Sequence, residues 1–274
     1  MSRAATAPNA SSEAILPRED RDGIALLTLN RPEVRNALSV TMIGALADAL
    51  ASIRVDRSIR AVVLTGNGPA FCAGHDMKEM TARRRDPDKG RAFFQQTFDA
   101  CAAMMQSVVR LPQTVIAAVN GPASAAGCQL AASCDLVVAS EKAAFATPGV
   151  NIGLFCSAPM IALSRKVASN HAMEMLLTGE PISAIRAYEI GLVNRISAPG
   201  REVEEAFALG RTIASKSSYV QKIGKEAFYN QIEMKLADAY TYANKVMVDN
   251  MMARDAEEGI GAFVEKRTPK WEDR

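Results

Sequence analysis

Two short runs, apolar but for one threonine each, constrain this chain most. Ala61-Val62-Val63-Leu64-Thr65 stops at Gly66-Asn67-Gly68-Pro69, and Thr114-Val115-Ile116-Ala117-Ala118-Val119 stops at Asn120-Gly121-Pro122. Strands with no polar alternation are buried on both faces, as inner strands of a helix-covered parallel sheet are. The Gly, Asn and Pro residues that end them are turn formers. Ile24–Leu29, closed by Asn30-Arg31-Pro32, and Leu136–Ala139 read the same way. Between them lie helical patterns: one capped by Ser39 and running to about Arg54, and one over Phe93–Val109. Strand, turn, helix and strand at this spacing predict βαβ units and the α/β class.

Beyond Pro148 the strands thin out. Ala158–Ala168, Ala172–Leu177 and Ser183–Glu189 read as helices, with one more short strand at Leu192–Ile196. Pro199-Gly200 marks a boundary, and from Arg201 to about Lys266 the pattern is almost wholly helical. The division expected is a disordered leader over 1–13, a core over 14–200 and a helical C-terminal region over 201–274. A Met and Ala stripe in that region (Met234, Ala237, Met247, Met251, Met252) either packs on the core or forms a subunit interface. The leader has Arg3 as its only basic residue and no apolar stretch after it, which argues against a signal peptide.

Composition removes several function classes. Thirty-two Lys and Arg against thirty Asp and Glu leave +2, without the basic excess of a nucleic-acid binder. No stretch reaches the ~20 apolar residues of a membrane span. Five cysteines without close pairing fit a reducing compartment. Two histidines, with no Cys-x-x-Cys and no His-x-x-x-His, argue against a metal site. A cytoplasmic protein is expected, or one of the mitochondrial matrix in a eukaryote.

The strongest local features are two strand exits made of small residues, Phe71-Cys72-Ala73-Gly74-His75-Asp76 and Asn120-Gly121-Pro122-Ala123-Ser124-Ala125-Ala126-Gly127-Cys128. Such exits let a ligand approach the backbone, and N–H groups from two of them can converge on one developing oxyanion. The alternative is that small residues only permit tight helix–sheet packing.

These exits, with Asn30-Arg31-Pro32, Asn36-Ala37-Leu38, Ile116 to Gly121, Gly127-Cys128-Gln129-Leu130, Cys134-Asp135 and Leu177-Thr178-Gly179-Glu180-Pro181, resemble the crotonase (enoyl-CoA hydratase/isomerase) superfamily. The resemblance runs from about Ile24 to Trp271. It implies repeated ββα turns wound into a right-handed spiral, with C-terminal helices that build homotrimers or dimers of trimers. It also implies an acyl-CoA thioester ligand, coenzyme A entering as part of the substrate and no further cofactor. The thioester carbonyl would sit between the backbone N–H groups of His75 and Ala126. Ala73, Asp76 and Met77 would contact the CoA moiety, Arg35 would lie near it, and Lys266, Arg267 or Lys270 would be candidates to neutralise a phosphate. Phe155 and Cys156 would line the acyl pocket.

The departures from the family pattern bear on the chemistry. Hydratases of the superfamily use two glutamates to hold and activate water, and the resemblance puts Gln129 and Gly149 at those positions. An amide cannot take up a proton near neutral pH, and glycine offers no side chain. Each missing acid or base commonly costs ~10²–10⁴-fold, so efficient hydration is not expected. Decarboxylation or thioester hydrolysis would need fewer protein proton carriers. The contrasting reading is a catalytically idle acyl-CoA-binding or interaction protein.

The remaining polar residues read as structural. Cys156 is expected to line an apolar pocket and His75 to matter through its backbone. Asp76 is read as a turn former, Asp135 as a structural carboxylate and His171 as a surface residue. The Arg83-Arg84-Arg85 run reads as a solvated, mobile lid, the five cysteines as packing atoms, and Trp271 as an anchor for the C-terminal tail.

Overall fold

The apolar runs form the middle of a six-stranded sheet. The structure, a computed structural model, describes residues 14–274, so the expected leader lies outside the described residues. The strands are β1 (Arg18–Arg21), β2 (Ile24–Leu29), β3 (Ala61–Gly66), β4 (Thr114–Val119), β6 (Leu136–Ser140) and β9 (Arg195–Ser197), side by side in that order. All neighbours are parallel except β1, which pairs antiparallel with β2. Every residue of β3 and β4 is buried. A second, three-stranded sheet joins β5 (Ala123–Ser124), β7 (Ala144–Ala146) and β8 (Ile182–Ser183).

Both faces of the large sheet are covered, which is why its strands carry no polar alternation. Val62, Leu64, Val115 and Ala117 face one side, in one core with residues of α1 (Val40–Val55), α3 (Arg91–Val109) and α4 (Ala126–Ser133). Val63, Ile116 and Val138 face the other, where Ala206 and Phe207 of α8 (Glu202–Ala214) close over them. Ser39 caps α1 as expected, its Oγ accepting from Met42 N–H at 3.2 Å. In between lie α2 (Met77–Ala82), α5 (Pro159–Leu163), α6 (Ser169–Thr178) and α7 (Ala184–Glu189).

Three expectations shift. The helix expected over Ala158–Ala168 ends at Leu163 and continues as turns. The last strand starts at Arg195 instead of Leu192, because the amides of Leu192 and Val193 turn back to Ala187 O and close α7. Two elements had no apolar signature to betray them. β1 is Arg-Glu-Asp-Arg on an exposed edge, and α2 is a six-residue helix that starts because Asp76 caps it.

The C-terminal region continues with α9 (Ser218–Gln231), α10 (Leu236–Met251) and α11 (Arg254–Glu265). Asp135 is the peg on which α9 sits. Its carboxylate accepts from Lys225 Nζ at 2.6 Å, Val115 N–H at 2.7 Å and Tyr229 Oη at 2.9 Å. Trp271 donates its indole N–H to Ser215 O at 2.9 Å, and Asp273 pairs with Arg60 at 2.8 Å, fixing the tail to the chain's own body. The Met stripe does not pack on the core within this chain: Met247 is 63% and Met252 82% exposed.

Asn36 fastens the loop after β2 to the first strand exit. Arg35 and Asn36 both take the left-handed conformation, at φ 52° and 56°. The fully buried Asn36 amide donates to Asn67 O at 2.9 Å and Ala70 O at 2.8 Å and accepts from Arg31 N–H at 2.9 Å. Asn36→Ala leaves all three partners without it, so urea unfolding is expected to show a loss of about 3 kcal/mol. A loss below about 1 kcal/mol would mean that water replaces the amide at no cost.

Candidate functional site

The site is made where the exits of β3 and β4 meet. Cys72 bridges to Ala123; its N–H donates to Pro122 O at 3.2 Å, and its C=O accepts from Ser124 N–H at 2.9 Å. Gly127 lies so close beneath that a Cβ there would overlap Cys72 O. Gly74, at φ +93°, presses on the second exit: a Cβ on it would sit 3.3 Å from Ala126 N. The amides of His75 and Ala126 are therefore brought into one small region, on either side of Gly74. Among the described residues, neither of these N–H groups has a hydrogen-bond partner. For Ala126 the reason is its place as the first residue of α4, where an N–H has no intrahelical acceptor.

Ala125, just before α4, has φ 50° and ψ −117°, a sparsely populated region for a residue with a side chain. Its N–H donates to Ala146 O at 2.9 Å, which helps hold it there. Such strain costs ~1–3 kcal/mol and persists where the surroundings over-determine it. Sequence reasoning did not find Ala125, since a glycine would have signalled a positive φ and an alanine does not.

Neither of the positions that the resemblance matches to the hydratase acids, Gln129 and Gly149, carries an acid. Gln129 lies on α4, 7% exposed, and its Oε1 has no partner among the described residues. Gly149 lies in the tight turn Pro148–Ile152, buried, with its C=O accepting from Leu154 N–H at 2.9 Å. A Cβ at Gly149 would overlap Leu154 O and reach 3.0 Å from Cys156 Sγ, so the loop's own backbone fills the space a side chain would need. Thr147, one residue past Ala146 and fully buried, has an unpartnered Oγ1 that sequence reasoning overlooked. The carboxylate whose charge is felt at His75 is Glu79, and its Oε2 accepts from Val40 N–H at 3.0 Å, at the start of α1.

The thiols are unreactive. All five cysteines are buried, and burial pushes Cys128 up to about 12 and raises Cys156 as well, so neither supplies a thiolate near neutral pH. Among the described residues no cluster of three His, Cys, Asp or Glu could hold a metal. His75 packs edge-on against Phe98 at 5.3 Å, and burial holds its pKa below the ordinary 6.5, a pull the Leu38 carbonyl opposes. The unfolded chain then takes up the proton first as pH falls. The stability that neutral His75 contributes is complete above pH 6.5 and is lost as pH drops toward the lower folded value. His75→Phe should flatten the loss of Tm between pH 6.5 and 5, and an unchanged slope would contradict this.

The remaining candidates divide by what they touch. Asp76 caps α2, accepting from the N–H groups of Lys78 at 3.2 Å and Glu79 at 3.3 Å, and pairs with Arg31 at 3.4 Å. Ala73 is exposed and donates its N–H to Arg35 O at 3.0 Å; the Arg35 side chain is itself exposed. Met77 and Phe155 are 46% and 44% exposed, Cys156 is buried, and His171 on α6 is half-buried. Arg267 is committed to Glu258 and Glu265, both at 2.6 Å, whereas Lys266 is exposed and in no ion pair among the described residues. Lys270 uses its N–H on Glu258. The arginine run is exposed, but Arg83 and Arg84 lie over the rings of Phe93 and Phe94 at 4.8 and 5.8 Å.

The pattern of the family described as enoyl-CoA hydratase/isomerase matches residues 19–274. Human enoyl-CoA hydratase domain-containing protein 3, mitochondrial, is 44% identical over 250 residues, 91% of this chain and 81% of that one. Its crystal structure superposes at a TM-score of 0.89, covering 94% of this chain and 100% of that chain. The crystal structure of an enoyl-CoA hydratase from Mycobacterium smegmatis is 47% identical, with a TM-score of 0.90 over 94% of this chain and 99% of that chain. The α/β fold with C-terminal helices that the resemblance implies is therefore the fold of the molecule. The chain belongs to the enoyl-CoA hydratase/isomerase family.

Proposed function

We propose that the chain binds an acyl-CoA thioester and stabilises its enolate through the backbone N–H groups of His75 and Ala126. The observation that carries this reading is the meeting of two strand exits at Gly74, each offering an amide without a hydrogen-bond partner among the described residues. Donors that are main-chain groups on packed elements cost no reorganisation when charge develops on the oxygen. Ala73, Met77, Arg35 and Phe155 would offer exposed surface for the CoA and acyl parts.

Water addition is not the reaction this site favours. Gln129 can donate to or accept from a substrate group but cannot carry its proton, and Gly149 contributes nothing. A substrate that brings its own leaving group, such as a malonyl-type thioester losing carbon dioxide, needs the enolate stabilised and little else from the protein. Binding without turnover is the second reading, and the bare Gly149 position favours it. The exposed Met stripe on and beside α10 would serve self-association, as homotrimers or dimers of trimers.

The test is direct. Acyl-CoA thioesters should raise the Tm of the purified chain, and malonyl-type thioesters should turn over faster than crotonyl-CoA. Turnover of crotonyl-CoA as fast as by a metabolic hydratase would contradict the account of the missing acids. If no CoA thioester shifts the Tm, the ligand class is wrong.

A further inference from the structure

A groove open to solvent runs between α1 and α3, from Val40, beside the first strand exit, to Arg54. It has a volume of about 520 Å³ and is mostly apolar, walled by small residues such as Gly44, Ala47, Ala100 and Ala103. It is separate from the proposed thioester site because α3 has two sides. Phe98 packs against His75, whereas Thr97, Ala100, Met104 and Ser107 turn toward α1.

Two observations say what would fill this channel. First, its two ends differ in unpaired charge. Val40 and Phe93 lie at one end, where Arg83 over the Phe93 ring pairs with Asp86 at 4.0 Å, and Arg54 stands at the other, with its Nη2 donating to Arg110 O at 2.8 Å. Second, Arg54 and Leu111 also line an adjoining pocket of about 380 Å³, where Arg110, Lys222 and Lys225 gather. Lys225 is committed to Asp135, and Glu226 is the one carboxylate lining that pocket. Arg54, Arg110 and Lys222 make no ion pair among the described residues.

We propose that the α1–α3 channel binds a single-chain lipid anion, a long-chain fatty carboxylate, with its head at Arg54 and its tail directed toward Val40 and Phe93. The helix from Val40 to Arg54 spans about 21 Å, enough to lay out a long alkyl chain. Small residues along both helices leave room for a chain one methylene wide. The uncompensated guanidinium selects an acid over a neutral lipid.

Calorimetric titration with dodecanoate, against dodecanol as the neutral probe, tests this. Two variants decide it. Gly44 is in the interior of α1, and a Cβ there meets nothing within 4 Å, so Gly44→Leu fills the channel without disturbing the fold. It should weaken dodecanoate binding at least about tenfold while leaving the Tm and the response to crotonyl-CoA unchanged. Arg54→Gln should weaken the acid about tenfold and leave dodecanol unaffected. The proposal is overturned if Gly44→Leu binds dodecanoate as tightly as the parent, if dodecanol binds as well as the acid, or if excess crotonyl-CoA displaces it. A changed sedimentation coefficient of Gly44→Leu, with no dodecanoate binding by the parent, would overturn it too and give the channel to a second copy of the chain.

Discussion

Gln129→Glu is expected to raise hydration of crotonyl-CoA by about 10²-fold over the parent chain. The substitution keeps the side chain's size and places a carboxylate where Oε1 already lies buried without a partner. Burial would push that carboxyl toward neutrality, the range in which a general acid or base is most effective. The gain stays at the low end because the second acid is still absent and such groups act as a unit. Gly149→Glu should bring no gain. Its Cβ runs into Leu154 O, so the loop that carries Phe155 and Cys156 must be rebuilt before any carboxylate can point inward. A steady-state assay of the parent and both single variants checks this. The account fails if Gly149→Glu gains activity while Gln129→Glu does not.

The second large effect concerns the peg beneath α9. Asp135→Ala is expected to cost about 3–5 kcal/mol in urea unfolding, the range for removing one partner of a buried ion pair. Lys225 and Asp135 are only 10% and 13% exposed at their side chains, so the ammonium left behind cannot reach water freely. Burial already depresses the Lys225 pKa, with the Asp135 charge opposing that shift, so losing Asp135 removes the main support for the charged form. Val115 N–H and Tyr229 Oη lose their acceptor at the same time. Asp135→Leu combined with Lys225→Met should recover part of the stability, because it removes the unpaired buried ammonium while Val115 N–H and Tyr229 Oη stay without their acceptor. A loss below about 1 kcal/mol for Asp135→Ala would show that α9 does not depend on this contact.

Much of this architecture is legible in the sequence, and the exceptions have physical causes. β3 and β4 announce themselves because burial on both faces leaves no room for polar residues, and α1 because Ser39 is a strong cap on an apolar face. β1 is silent because an edge strand facing water needs no apolar side chains. The two exits are legible as small-residue turns, but their meeting depends on Gly74 touching Ala126, a contact between residues about fifty positions apart. The strain at Ala125 is hidden because alanine gives no sign of a positive φ. Gly149 is visible as a missing acid, yet only the fold shows that Leu154 O occupies the space. The Met stripe is visible as apolar surface, and its exposure removes the packing alternative that the pattern alone leaves open.

The central claim is that two backbone amides, at His75 and Ala126, grip a thioester oxygen in a site with no proton carrier at either acid position. Infrared difference spectroscopy of crotonyl-CoA labelled with carbon-13 at its carbonyl, bound to the parent chain, tests it most directly. The account predicts a carbonyl stretch displaced to lower frequency on binding, with the bound thioester persisting instead of hydrating rapidly. A bound thioester whose carbonyl stretch stays at its value in water would contradict it.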